Sequence, residues 1–178
     1  KIEKDTIKNA IEGFYICSIS SKSVIYKGMF LAESIADFYL DLKDERFISR
    51  FAIFHQRFST NTAPSWDLAQ PFRALAHNGE INTIKGNVNK MKSKEVLLQS
   101  PLFTPAQIKK LLPICDHSLS DSANLDELIE LLVMGGRSLP HAIMMLVPEA
   151  WQYNNQMDDK TKSFYKYSAS IMEPWDGP

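Results

Sequence analysis

The sequence of 178 residues is poor in cysteine, in net charge and in long hydrophobic runs. Two cysteines, Cys17 and Cys115, are too few for a disulfide framework, which fits a reducing compartment. Twenty basic residues against twenty-one acidic ones leave a net charge of -1, so no overall positive charge attracts nucleic acid or an anionic membrane. The longest apolar runs, such as residues 142–147, are far shorter than the roughly 20 residues that span a bilayer. We therefore expect no nucleic-acid partner and no membrane partner.

No internal repeat, low-complexity tract or Gly/Ser/Pro-rich linker divides the sequence, so we interpret residues 1–178 as a single domain. Lys1 begins the sequence without an initiator methionine. The sequence stops at "EPWDGP" directly after a helical pattern, where a turn normally leads into a further element. These ends predict the central part of a larger domain, truncated on both sides.

The first half of the sequence carries the alternation of apolar and polar residues that is typical of strands. "GFYICSIS" (13–20) and "SVIYKG" (23–28) predict a hairpin, because both are rich in aromatic and β-branched residues. "RFAIFHQRF" (50–58) predicts a further strand, which a loop over residues 59–71 follows. Asn78 and Gly79 then form the strongest short-range hairpin signal, since both residues accept a positive φ.

Helical patterns dominate the second half. "NLDELIELLVMGG" (124–136) is the clearest, with Asn124 as its cap and the two glycines as its stop. Thr104 and Ser138 each open another helical run, and residues 159–172 fit a helix or a strand. Shorter helical patterns cover residues 33–42 and 87–98. Strands in the first half and helices in the second favour an α+β layered domain.

Several kinds of site can be weighed from the residues alone. Cys115 and His117 are a close pair of metal ligands without a second pair, so we expect no metal site. Arg57 could clamp a carboxylate through two parallel hydrogen bonds, although a surface ion pair is the simpler interpretation. Asn78 and Gly79 could form only a turn, or could present a side-chain amide and a backbone N–H as an oxyanion hole. Spacing alone leaves this choice open.

One long motif resembles a known family. Residues 54–87, "FHQRFSTNTAPSWDLAQPFRALAHNGEINTIKGN", closely resemble the class II, N-terminal-nucleophile glutamine amidotransferase domain of the glutamate synthase large subunit. The resemblance continues through "SDSANLDELIELLVMGGRSLPHAIMMLVPEAW" (120–151) and "MEPWDG" (172–177), and so covers nearly the whole chain. It implies hydrolysis of L-glutamine to glutamate and ammonia, which is passed on to 2-oxoglutarate to form glutamate. Another class II amidotransferase, or a non-catalytic regulatory or interaction domain with the same fold, remains as an alternative.

The resemblance also implies roles for particular residues. Arg57 is similar to the arginine that grips the α-carboxylate of the substrate, and Asp121 to the carboxylate that accepts its α-ammonium. Asn78, through its side-chain amide, and Gly79, through its backbone N–H, resemble the oxyanion hole that stabilises the charge on the attacked amide carbonyl. The pocket-lining residues beside the arginine are Phe58 and Thr60.

In the resembled family the nucleophile is an amino-terminal cysteine whose own α-amine serves as the base. Lys1 holds the first position here. Cys17 is internal and has no free α-amine, so it cannot replace that cysteine. We therefore expect the chain as given to be inactive, as a fragment of an active parent enzyme.

The fold, cofactors and partners follow from the same resemblance. It implies a four-layer αββα sandwich of antiparallel sheets, incomplete here. No cofactor is expected on this fragment, whereas the parent enzyme is expected to use flavin mononucleotide, an iron–sulfur cluster and NADPH, NADH or ferredoxin as electron donor. The implied partners are L-glutamine, the remaining domains of the parent chain and a small reductase subunit. The expected compartment is the cytoplasm, with a plastid as the alternative.

Overall fold

Helices are the regular structure in the residues that the computed structural model describes, which are residue 11, residues 14–58 and residues 63–177. The chain divides into two compact units, Lys1–Asn78 and Gly79–Pro178. Whether these units belong to the single domain inferred from the sequence stays a prediction. Within the described residues, no helix combines the length and the apolar character that a membrane span requires.

The helical pattern at residues 33–42 gives three short helical turns in the first unit. Helix α1 spans Ile35–Phe38, and 3₁₀ turns at Ala32–Ser34 and Leu40–Lys43 flank it. The Tyr39 ring packs against the rings of Phe38 and Tyr26, with centroids 4.9 Å and 4.6 Å away. Aromatic stacking, rather than a long helix, therefore organises this part of the unit.

The strands expected at residues 13–20, 23–28 and 50–58 are not present in the described part of those segments. A strand requires a neighbour with which it exchanges backbone hydrogen bonds. Between the first two segments, the N–H of Ile25 donates instead to the Ser18 side-chain oxygen at 3.3 Å, a competing side-chain contact. In the third, Phe51 and Phe54 are 73% and 82% exposed, so no layer of described residues covers either side chain. These strand predictions are wrong for the described residues, and the antiparallel sandwich is not confirmed.

The Asn78–Gly79 turn also differs from the expected hairpin. A bend falls at Gly79, no strand flanks it, and the first assigned turn comes later, at Asn82 and Thr83. The hydrogen bonds of His77, the residue before Asn78, explain why no hairpin forms. The Gln70 side chain occupies both backbone hydrogen-bonding groups of His77, which a partner strand would otherwise use.

Five helices are present in the described residues of the second unit. Their bounds are Ile84–Glu95 (α2), Pro105–Leu111 (α3), Asp121–Met134 (α4), Leu139–Leu146 (α5) and Asp159–Ile171 (α6). Thr104 caps α3 in a capping box with Gln107, and Ser138 caps α5, as the sequence predicts. Residues 159–172, which fit a helix or a strand, are the helix α6 with Asp158 as its cap.

Helix α4 begins earlier than the sequence predicts. Ser120 caps it by accepting a hydrogen bond from the N–H of Ala123 at 3.1 Å, so the predicted cap, Asn124, lies inside the first turn. Asn124 is fully buried, and its side chain bonds to the backbone of Asp116 in the preceding loop and to the carbonyl oxygen of the cap Ser120. The predicted end is confirmed, since Gly135 and Gly136 stop the helix and Gly136 adopts a φ of 97°.

The core of the second unit lies where α4 packs on α5 and α5 packs on α6. These helices contribute apolar side chains that are almost inaccessible to solvent. Burial of such side chains is the main stabilising contribution to the helical unit. The buried residues of these three helices include Leu125, Leu128, Ile129, Leu132, Ala142, Met145, Leu146 and Tyr165.

Candidate functional site

A buried lysine holds the loop that precedes the Asn78 segment in the first unit. Lys27 is 6% exposed, and its Nζ donates hydrogen bonds to the carbonyl oxygens of Ala69 at 2.6 Å and Trp66 at 3.2 Å. The same Nζ donates to the Tyr15 hydroxyl at 3.1 Å and lies 5.5 Å from the centroid of the Phe72 ring. Charge-assisted hydrogen bonds of this kind fix the backbone at residues 66–69.

Gln70 connects two parts of the same unit. Its backbone N–H donates to the carbonyl oxygen of Phe58 at 3.2 Å. Its side-chain Nε2 donates to the carbonyl oxygen of His77 at 2.8 Å, and its Oε1 accepts from the His77 N–H at 2.7 Å. Gln70 is 8% exposed, so these bonds are shielded from water. The residue after Arg57 and the residue before Asn78 therefore share one buried glutamine as partner.

The two described residues predicted near the substrate carboxylate have different environments. Arg57 is exposed and forms no ion pair with any residue that the structure describes, so a surface ion pair does not account for it there. The Phe58 ring packs edge to face on Trp66, with a centroid distance of 5.1 Å. Thr60, the third predicted residue of this group, lies outside the described residues.

Asp121 connects the start of helix α4 to the segment that follows Gly79. Its Oδ2 accepts a hydrogen bond from the N–H of Ile81 at 2.7 Å. Its Oδ1 accepts from the N–H of Ser122 at 2.5 Å and from the Ser122 hydroxyl at 3.1 Å. The first turn of a helix favours a negative charge, so this position suits a carboxylate. Asp121 thus fixes the backbone two residues beyond Gly79.

An open cavity of about 490 Å³ lies beside Asp121 in the second unit. This volume falls within the range of roughly 300–1,000 Å³ that is typical of small-molecule sites. It offers a carboxylate, an amine and an imidazole beside apolar side chains. The lining residues are Ile84, Lys85, His117, Leu119 and Asp121.

The loop that carries His117 is held by the buried Asn124. The Oδ1 of Asn124 accepts from the N–H of Asp116 at 2.7 Å, and its Nδ2 donates to the carbonyl oxygens of Asp116 at 2.9 Å and Ser120 at 3.0 Å. A buried amide with all of these partners satisfied rigidifies its surroundings. The loop that forms one side of the cavity is therefore held in place by Asn124, a residue of α4.

The carboxy-terminal segment holds the residues at the start of α2, which lies on another side of the cavity. The N–H of Asn82 donates to the carbonyl oxygen of Asp176 at 2.9 Å, and the Asn87 side chain donates to that of Pro174 at 2.8 Å. A Cβ on Gly177 would lie 1.8 Å from the carbonyl oxygen of Glu80, so only glycine allows this close approach. The "EPWDG" segment is thus packed against residues 80–87.

Comparison with known protein families identifies the family of this chain. The family model described as "Glutamine amidotransferases class-II" matches residues 1–178. The chain belongs to the class II glutamine amidotransferases. This match confirms the family that the long motif resembles, and it extends over the whole chain.

Three similar curated proteins carry the name glutamate synthase in their descriptions. The "Glutamate synthase [NADPH] large chain" of Azospirillum brasilense is 54% identical over 178 residues, which is 100% of this chain and 12% of that protein. The "Glutamate synthase [NADH]" of Schizosaccharomyces pombe is 49% identical over 93% of this chain and 8% of its own length. The "Ferredoxin-dependent glutamate synthase" of Pyropia yezoensis is 50% identical over 93% of this chain and 11% of its length. The chain thus spans about a tenth of these relatives.

The residues of this amidotransferase chain do not fit an iron–sulfur cluster. Such a cluster is usually held by four cysteines, and the sequence has two. Among the described residues, no three His, Cys, Asp or Glu side chains lie close enough to hold a metal ion. Burial also raises the pKa of the Cys115 thiol to about 12, with the charges of Glu95 and Glu127 adding to the shift. Cys115 is therefore a protonated core residue.

The sequence alone does not reveal several residues that hold the backbone near the candidate residues of each unit or line the cavity of the second unit. Lys27 and Gln70 act through carbonyl groups, and no periodicity or spacing marks such contacts in a sequence. Lys85 shows no signal either, and His117 attracts notice only as a metal-ligand candidate. Asn124 is singled out in the sequence as a helix cap, for which its position three residues before Glu127 is the signal.

Proposed function

We propose that this chain is the glutaminase part of a glutamate synthase, which hydrolyses L-glutamine and passes the ammonia to 2-oxoglutarate. The observation that carries the proposal is the 54% identity to a glutamate synthase large chain over all 178 residues. The residues to which the resemblance assigns substrate and oxyanion roles are all present in the sequence: Arg57, Phe58, Thr60, Asn78, Gly79 and Asp121.

In the proposed reaction a thiolate attacks the side-chain amide carbonyl of glutamine, and the carbonyl oxygen becomes negatively charged. The Asn78 amide and the Gly79 N–H donate hydrogen bonds to this oxyanion. By the resemblance, the α-amine that took the thiol proton returns it to the amide nitrogen, so that collapse of the intermediate expels ammonia and leaves a thioester, which water hydrolyses to glutamate and the free thiol. By the resemblance, the thiol belongs to an amino-terminal cysteine, and no residue among 1–178 is assigned that role.

The contacts of each unit support the assigned roles. In the first unit, Gln70 fixes the backbone of His77, the neighbour of Asn78. In the second, Asp121 bonds to the N–H of Ile81 and borders the cavity. Each carboxylate oxygen can accept two hydrogen bonds, so these backbone contacts leave Asp121 able to accept the substrate ammonium. Arg57 is exposed and suits bidentate binding of the α-carboxylate.

Further properties of the parent protein belong to the same proposal. We infer a four-layer αββα sandwich with antiparallel sheets for the complete domain, because class II membership supports it. Flavin mononucleotide, the iron–sulfur cluster and the electron donor, whether NADPH, NADH or ferredoxin, are assigned to other domains or to a reductase subunit. The compartment, cytoplasm or plastid, stays a prediction, and one similar protein is described as chloroplastic.

The experiment uses the full-length parent enzyme and measures glutamate formation from 2-oxoglutarate with either glutamine or ammonia as nitrogen source. Arg57→Ala removes a charge-assisted contact worth about 1.5–3 kcal/mol, so the KM for glutamine should rise about 10- to 100-fold. Activity with ammonia should stay at the wild-type level, because ammonia bypasses glutamine hydrolysis.

Arg50→Ala is the matched control, since Arg50 is another exposed arginine of the same unit. It should leave both activities unchanged. An Arg57→Ala enzyme with wild-type glutamine kinetics, or with equal losses for glutamine and ammonia, would contradict the proposed function.

A further inference from the structure

We propose that Gln70 is a positioning residue for glutamine hydrolysis, which orients the oxyanion donor Asn78 through the backbone of His77. This inference rests on the proposed function. The observation behind it is the two-point contact of the Gln70 side-chain amide, which donates to the His77 carbonyl at 2.8 Å and accepts from the His77 N–H at 2.7 Å.

Two antiparallel hydrogen bonds to one residue restrain that residue in rotation as well as in position. The carbonyl group of His77 belongs to the peptide bond that leads into Asn78. Because a peptide bond is planar, fixing its oxygen also fixes the direction in which the Asn78 backbone begins. Asn78 itself is exposed. Its orientation therefore depends on its neighbours more than on packing of its own side chain.

Gln70 is itself held firmly enough to act as this reference point. It is 8% exposed, and its N–H donates to the carbonyl oxygen of Phe58 at 3.2 Å. The carbonyl of the preceding residue, Ala69, accepts from the buried Lys27 at 2.6 Å. Gln70 thus joins the residue that follows Arg57 to the residue that precedes Asn78, entirely within the first unit.

Positioning and mere stabilisation of the loop predict different kinetics. A donor used only in the transition state affects kcat, whereas the ground-state contacts of the substrate set KM. A misplacement of about 1 Å can cost about 100-fold in rate. We therefore expect loss of the Gln70 amide to lower kcat for glutamine hydrolysis about 10- to 100-fold, with KM for glutamine within about threefold.

The test uses four variants of the full-length parent enzyme. Gln70→Met keeps the length of the side chain and removes both hydrogen bonds, and Asn78→Ala removes the oxyanion donor. The double variant Gln70→Met/Asn78→Ala measures their coupling. Gln152→Met, at an exposed glutamine of the second unit, is the matched control and should behave as wild type. Because Gln70 acts through Asn78, the double variant should lose little more kcat than Asn78→Ala alone.

A second substitution at this position, Gln70→Glu, covers the case in which Gln70→Met fails to fold. The carboxylate can accept from the His77 N–H but repels the His77 carbonyl, whereas the protonated acid can again donate to that oxygen. The ratio of its kcat to the wild-type kcat should therefore rise as pH falls through the pKa of the introduced glutamic acid.

Several outcomes would overturn the positioning role. They are wild-type kcat in Gln70→Met, additive losses in the double variant, a loss confined to KM, or a pH-independent ratio for Gln70→Glu. If Asn78→Ala is severely impaired while Gln70→Met is not, only the positioning role fails. If Asn78→Ala itself hydrolyses glutamine at the wild-type rate, the proposed oxyanion role and the positioning role both fail.

Discussion

In the first unit, single polar side chains hold the backbone near the candidate residues, whereas in the second unit a helix carries the candidate residue Asp121. The Lys27 side chain bonds to backbone carbonyl groups at least 39 positions later in the sequence. The Gln70 side chain bonds to a backbone carbonyl group seven positions later. Asp121, by contrast, is the first residue of α4, whose apolar face is buried in the core. The backbone near the candidate residues of the first unit therefore depends on individual buried hydrogen bonds, whereas the helix that carries Asp121 depends on shared hydrophobic packing.

The two units should respond differently to mutation. Hydrophobic packing spreads its stabilisation over many side chains, and a single truncation weakens a whole helical unit. A buried side chain that bonds backbone carbonyls has a local effect, because it fixes one loop. Substitutions in the two units should therefore differ both in the size of their effect and in how far it spreads.

The largest effect on stability is expected for Leu128→Ala in α4. Leu128 is 2% exposed in the core of the second unit, so the change should lower the free energy of unfolding of α4 by about 2–5 kcal/mol. Amide hydrogen exchange in α4 and α5 measures this. Leu97→Ala, at a leucine that is 71% exposed, should change it by less than about 0.5 kcal/mol. Equal effects of the two changes would show that α4 is not held by packing.

A smaller and more local effect is expected for Lys27→Met. The change keeps an apolar stem but removes the bonds to the carbonyls of Ala69 and Trp66. Hydrogen bonds to charged groups contribute about 1.5–3 kcal/mol, so amides at residues 66–72 should exchange about 10- to 100-fold faster. Lys22→Met at an exposed lysine is the control. Faster exchange in α4 as well would contradict a local role.

Loss of the α4 cap should have a moderate effect. Ser120→Ala removes the hydroxyl that accepts from the N–H of Ala123 at 3.1 Å. A lost cap costs about 1 kcal/mol, and protection from hydrogen exchange should fall first in the initial turn, which contains Asp121. Ser163→Ala, at an exposed position within α6, should leave the protection of α4 unchanged. If Asn124 were the effective cap, Ser120→Ala would leave the initial turn intact.

The smallest effect concerns the two thiols. Burial raises the pKa of Cys115 from its ordinary 9.0 to about 12, whereas Cys17 is half-buried. In the native protein at pH 9, iodoacetamide should therefore label Cys17 well before Cys115, as mass spectrometry can measure. Because the folded thiol keeps its proton, its contribution to stability is complete below pH 9 and is lost as the pH rises from 9 towards 12. Equal labelling of both thiols would contradict the buried position.

The sequence predicts the helical unit far better than the first unit. Helix ends depend on neighbouring residues, so Thr104, Ser138 and the glycine pair at 135–136 are readable locally. The start of α4 is missed because Ser120 and Asn124 are both good caps, and tertiary contacts draw Asn124 into the loop before it. Local alternation at residues 50–58 could not show whether a partner strand or a covering layer is present.

The candidate site residues could likewise be predicted only in part. The resemblance supplies Arg57, Asn78, Gly79 and Asp121, but it supplies nothing about the contacts that hold them. The bond from Ile81 to Asp121 joins residues 40 positions apart, and the Gln70 contact depends on a loop folding back on itself. Contacts of this kind depend on the fold of distant parts of the chain, so no local pattern in the sequence predicts them.

Asn78 is the proposed oxyanion donor for glutamine hydrolysis, and the kcat of the Asn78→Ala parent enzyme measures this role. Removal of one such donor should lower kcat with glutamine about 100- to 1,000-fold, while glutamate formation from 2-oxoglutarate and ammonia continues at the wild-type rate. Wild-type turnover of glutamine by Asn78→Ala, with ammonia-dependent activity intact, would show that Asn78 does not stabilise the oxyanion.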